Sequence, residues 1–132
     1  MRHITLAAGS VIVAVLGAAS LQAHHSPSAI FDMEKRIAVT GTLSRIDWIN
    51  PHIVVTMDAT GDGGRIDRWT FESNPPSWYR SVGLARADFA QAIGHTVTVE
   101  ALRARDGTLF GYMRKITLPD GTSLELIAGD PK

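Results

Sequence analysis

Hydrophobic and polar positions alternate through most of this chain, and the places where the alternation slips or stops mark its elements. In "IAVTGTLSRIDWIN", Ile37, Val39, Gly41 and Leu43 alternate with polar or small residues. The phase slips by one residue at Ser44-Arg45 and resumes at Ile46 and Trp48. A period of two reads as a half-buried strand, and a one-residue slip inside it as a bulge or sharp coil. Asn50-Pro51 breaks the ladder, because proline has no N–H to give it. "HIVVTMDA" then places Ile53, Val55 and Met57 on one face, which leaves His52 on the other with Val54 and Thr56. The turn "GDGG" leads into "RIDRWTFES", with Trp69 and Phe71 on one side of a third strand.

Alternation is lost in "NPPSWYRSVGLARADFAQAIG". Asn74 and Pro75-Pro76 read as a helix start, and Gly83 divides two short helical pieces that stop at Gly94. "HTVTVEAL", an "RDGT" turn, "LFGYMRKITL", a "PDGT" turn and "SLELIA" follow, and Asp-Gly between alternating runs is a strong hairpin signal. Three meandering strands with a long bent first one, a helical connection, and two or three further strands are what a small OB-fold-like barrel needs. The expectation is therefore a mainly β, OB-like barrel over residues 37–132, with an open β-meander under a helical cap as the alternative.

The first 23 residues follow a different rule. Arg2 supplies a positive start, Ile4 to Ser20 is an uncharged apolar run, and Ala23 is a small residue before a cleavage point, the pattern of a secretory signal peptide over residues 1–23. Cleavage leaves His24 as the new N-terminus and residues 24–36 as a leader. A cut after Ala19 is the alternative. The apolar run is shorter than the roughly 20 residues of a spanning helix, so no stable membrane anchor is expected after cleavage. With no cysteine, disulfides and thiolate metal ligands are excluded. Removing 23 of the 132 residues leaves 109, the size of one domain with a modest core. The removed segment holds one of the 13 basic residues and none of the 13 acidic ones, so the remainder carries −1 with histidine neutral. A nucleic-acid partner, which calls for a basic face, is not expected.

Chemistry has few carriers. There is no "GxSxG", no cysteine nucleophile, and "GDGG" opens a strand rather than a helix, so it is no phosphate loop; an enzyme is not expected. The histidines say more. With His3 removed, His24, His25, His52 and His95 remain. An N-terminal His24 offers a metal both its ring and its free amine, whose pKa of roughly 7.7 to 8.0 lets a metal displace the proton near neutrality. Nitrogen ligands suit copper, which stands highest in the divalent series. A third nitrogen comes from His25 or His52, with Asn50 and Trp48 as supporting residues of the "WINPH" segment. The plainer readings are a solvated His-His leader and an Asn-Pro-His corner in which Asn50 caps backbone groups and His52 covers the rim. His95, after Gly94, reads as a solvated turn residue. Trp48 and Trp69 sit at inward phases and read as core. Trp78 is a helix staple or a ligand-facing aromatic, and Tyr79 and Arg80 are expected to be exposed.

"AHHS" at the mature start, Phe31-Asp32, "GTLSRIDWINPH", the "WTFE" strand, "GHTVTVE" and the "RARDG" and "TLPDG" turns together resemble the family catalogued as domain of unknown function 6152. The most specific pieces are His24-His25-Ser26 and Trp48 to His52. The chain departs from the family pattern at Pro27, where an aromatic is expected, and at His95, where an acidic residue is usual. The resemblance implies an exported bacterial β-barrel protein of the periplasm with no established activity. Two functional classes follow: a copper-binding protein using His24, His25 and His52, or a non-metal binding module for a small molecule or an envelope protein.

Overall fold

A computed structural model describes residues 26–127. A short helix, α1 (Pro27–Ile30), leads into β1 (Phe31–Asp47), followed by β2 (Val54–Thr60) and β3 (Ile66–Glu72). Two short helices, α2 (Pro76–Ser81) and α3 (Arg86–Ala90), connect to β4 (Thr96–Ala104), β5 (Phe110–Thr117) and the three-residue β6 (Ser123–Glu125). This is the expected order, a three-strand meander, a helical connection and further strands.

The strands close on themselves. β1 pairs with both β2 and β4, β4 pairs with β5, and β3 pairs with both β2 and β5, so five strands form a ring with β6 added to β5. Every pairing is antiparallel except the closing one, in which Thr70 to Glu72 run parallel to Phe110 to Tyr112. The parallel seam follows from the order of the other pairings: β3 is antiparallel to β2, β2 and β4 are antiparallel to β1, and β5 is antiparallel to β4, so β5 runs the same way as β3.

β1 serves two neighbours because it bends. Its register against β4 runs through Gly41 and Thr42, and its register against β2 begins at Thr42 and shifts between Leu43 and Arg45. The shift is the slip in the alternation at Ser44-Arg45. Gly41 lets the two halves fold close: a Cβ there would run into the carbonyl oxygen of Asp58 on β2, with the carbonyl carbon at 2.9 Å. Gly111 does the same service at the closing seam, where a Cβ would stand 3.0 Å from the Phe71 ring.

Inside the ring lie Leu43, Ile46, Ile53, Val55, Met57, Trp69, Phe71, Val97, Val99, Met113 and Ile116, all buried. A second, smaller cluster sits on the outside: Phe31, Leu102 and Ala104, with Phe110 and Tyr112 against them. It corrects one boundary. β1 begins at Phe31, ahead of the Ile37 where alternation becomes visible, because the Phe31 ring is buried on the outer face while "MEKR" beyond it is exposed. Burying such a ring contributes about 1.5–3 kcal/mol, enough to draw part of the leader onto the barrel. Among the described residues no helix is long and apolar enough to cross a membrane.

Candidate functional site

The Asn-Pro-His corner lies between β1 and β2. Beyond Asp47, Trp48 turns back against the helical connection, its ring 5.0 Å from Tyr79 and 5.8 Å from Phe89. Ile49 and Asn50 are exposed, the Asn50-Pro51 peptide is cis, and Ile53 returns to the core. Two backbone bonds fasten the corner to the end of β3: Ile53 N–H donates to the Asn74 carbonyl at 3.2 Å, and Ser73 N–H donates to the Ile53 carbonyl at 2.9 Å.

That fastening orients His52. Its side chain points outward, as the alternation requires, and its Nδ1 lies 2.9 Å from the Ser73 carbonyl oxygen and 3.3 Å from Glu72 Oε1. Both neighbours are acceptors, so Nδ1 carries the hydrogen and donates it. The neutral ring then keeps its lone pair on Nε2. A histidine held this way by a carbonyl and a carboxylate is the usual arrangement behind a metal-bound imidazole, because the second nitrogen is fixed in both tautomer and direction. His52 and Glu72 side chains are 32% and 23% exposed, so the pair is reachable from solvent.

Behind His52 is a buried polar network that the sequence does not announce. Ser73 and Asn74 are the buried polar residues of the described core, at 0% and 5% exposure. Ser73 Oγ shares a hydrogen bond of 2.5 Å with the Tyr79 hydroxyl. Asn74 Nδ2 donates to the Leu126 carbonyl at 2.8 Å, and Asn74 Oδ1 accepts from the Tyr112 hydroxyl at 2.9 Å. Asn74 thus ties three separate segments together instead of capping α2, whose N-cap is Pro75. Tyr79 is not the exposed residue its position in "PPSWYR" suggests. It is 1% exposed, and burial, against the opposing Ser73 hydrogen bond, pushes its hydroxyl up to about 12. Burial also pushes the Tyr112 hydroxyl up, with Arg114 acting against it and Glu72 with it. Trp78 is half-buried and meets Tyr79 edge-on at 5.1 Å, as a staple would.

His24 and His25 lie outside the described residues. The first described residues lie against the turn between β4 and β5. Arg105 N–H donates to the Ile30 carbonyl at 2.9 Å, and the Phe31 ring packs 5.5 Å from Tyr112. Tyr112 is the ladder neighbour of Glu72, the carboxylate beside His52. Phe31, at the start of β1, and the corner therefore share one outer face. His95 does not share it: it is exposed just before Thr96, whereas Tyr112 pairs with Leu102, six residues further along β4 and about 20 Å away at strand rise. There it lines a separate cavity of about 200 Å³ with Leu118 and Asp120.

Among the described residues no group of three or more His, Asp or Glu stands ready to hold a metal ion. His52 and Glu72 form a pair without a third such group. Asn50 is exposed, and Trp48 contributes packing behind the corner. The residues that sequence reasoning missed, Glu72, Ser73 and Tyr112, lie 20 or more positions from His52, and alternation gives only their outward or inward phase.

A comparison with curated proteins gives no match. A family model described as a family of unknown function (DUF6152) matches residues 11–113, a stretch that takes in both His24-His25 and the whole Asn-Pro-His corner, and the chain belongs to that family.

Proposed function

We propose that the chain is an exported periplasmic binding protein, not an enzyme, and that it takes a copper ion as Cu(II) between its leader and the Asn-Pro-His corner. The amine and ring of His24 supply two nitrogens, and Nε2 of His52, with His25 beside it, supplies the remainder. One observation carries the reading: His52 Nδ1 is engaged by the Ser73 carbonyl at 2.9 Å and by Glu72 at 3.3 Å, which leaves Nε2 as the free donor on the face where the leader arrives. The buried Ser73, Asn74 and Tyr79 network is a rigid support, the kind of backing a ligand needs if its position is to be held within a fraction of an ångström. The Glu72 carboxylate offsets part of the added cationic charge. Export is supported by the Arg2 start, the apolar run and Ala23.

The test is a Cu(II) titration of the processed protein, its N-terminus fixed at His24 by intact mass. His52→Ala is expected to weaken binding by at least about 10- to 100-fold, the cost of losing even a partner that orients a metal ligand, and His95→Ala to leave it unchanged. A Gly added before His24 should weaken it as well by displacing the amine. Equal affinities across the three variants would reduce copper capture to an exposed His pair and overturn the site.

A further inference from the structure

The outer face of β1, β4, β5 and β6 carries a groove of about 250 Å³ that takes no part in the His52 corner. Its floor is one cross-strand row: Ala38 beside Glu100, Glu100 beside Lys115, and Lys115 beside Glu125. Lys115 Nζ lies 2.9 Å from Glu100 and 3.9 Å from Glu125, so this cation is already matched by carboxylates. The hydrogen bond to Glu100 holds its ammonium above the usual lysine range. The row ends on Ala38, whose methyl leaves a hollow that a longer side chain would fill.

Two arginines of the same lining have no such carboxylate partner among the described residues. Arg36 and Arg114 both line the groove, and among the described residues neither belongs to an ion pair. The presence of Arg114 there depends on an irregularity in β5. Lys115 pairs with Glu100 and Met113 with Ala101, so Arg114 is the extra residue of a bulge. Strict alternation back from Ile116, which is buried, would send residue 114 into the core; the bulge re-aims it to the outer face. A bulge that turns an uncompensated arginine into a lined hollow is a construction that barrel closure does not require, since the ring closes at Phe110 to Tyr112.

We propose that this groove is a binding site for a small organic carboxylate, held by Arg36 and Arg114 with its apolar body against Ala38 and Ile127. The planar guanidinium fork matches a carboxylate's two oxygens. The lining holds three cations and two carboxylates, so one negative charge balances it and a phosphate dianion does not. The volume lies just below the roughly 300 Å³ where drug-sized sites begin, which limits the ligand to a compact acid.

The experiment titrates the full processed chain, metal-free, with benzoate as the probe, benzamide as its neutral shape-match and inorganic phosphate as the second anion, read by amide NMR shifts. Saturable shifts confined to the backbone of Ala38, Ala101, Arg114 and Lys115 are expected with benzoate, with no response to benzamide. Arg36→Gln and Arg114→Gln are each expected to weaken benzoate binding by about tenfold, the loss of one charge-assisted hydrogen bond. Phosphate binding as tight as benzoate, unchanged affinity in both variants, or shifts spread over other surface arginines such as Arg45 and Arg68 would each overturn the site. Because no copper is present, the outcome is independent of the His52 reading.

Discussion

Tyr79→Phe isolates one buried hydrogen bond that supports the His52 corner. The tyrosine ring is 1% exposed and sits against Trp48 and Phe89 at 5.0 and 5.6 Å, contacts that phenylalanine keeps. What disappears is the hydroxyl 2.5 Å from Ser73 Oγ, on a residue that is itself 0% exposed. A buried hydroxyl left without its partner costs about 1–3 kcal/mol, and packing offers nothing in return because ring volume is unchanged. In a domain of this size each kcal/mol lowers Tm by about 4–8 °C, so a fall of about 4–24 °C is expected. Thermal unfolding by circular dichroism and a urea midpoint at constant m measure it. The companion variant is Ser73→Ala/Tyr79→Phe, which removes both ends of the bond. Since no polar group is then stranded, the double variant should be destabilised by about 0.5–3 kcal/mol less than the sum of the single costs. A Tm for Tyr79→Phe within about 2 °C of the parent, or strictly additive costs, would refute the reasoning.

Two further outcomes follow from the same structure. The chain has two tyrosines, and both hydroxyls are pushed above 10.0, Tyr79 to about 12, so an alkaline titration followed by tyrosinate absorbance should show no group ionising normally until the fold opens. The folded state prefers protonated Tyr79, so its contribution is complete below about pH 10 and is lost as pH climbs toward 12, and a normal titration of both groups in folded protein would contradict the burial. Gly41→Ala forces a methyl into the Asp58 carbonyl where neither backbone can yield cheaply, and a loss of about 1–3 kcal/mol is expected in the urea midpoint, with the outward-facing Thr40→Ala as control; equal midpoints would mean that β1 bends without needing the glycine.

The strand spans apart from the start of β1, the slip at Ser44-Arg45, the Asp-Gly turns and the helical interruption were legible in the chain itself, because each is a matter of local periodicity and turn chemistry spanning a few residues. The outward phase of His52, two residues ahead of β2, was legible for the same reason. What holds it was not. Ser73 and Glu72 reach His52 because β2 pairs with β3, Val54 lying opposite Glu72, and that pairing is decided by which arrangement closes the apolar faces. The parallel seam between β3 and β5 joins residues 40 positions apart, Thr70 with Phe110, and no window of sequence contains both. Phe31 and Tyr79 show the limit from the other side. Phe31 falls in the segment read as a leader and Tyr79 in a helical connection expected to expose it, and each is buried because a distant element, β5 for Phe31 and the Trp48 corner for Tyr79, supplies the other half of its contact. Alternation decides which way a side chain points; only the closed ring decides what it meets there.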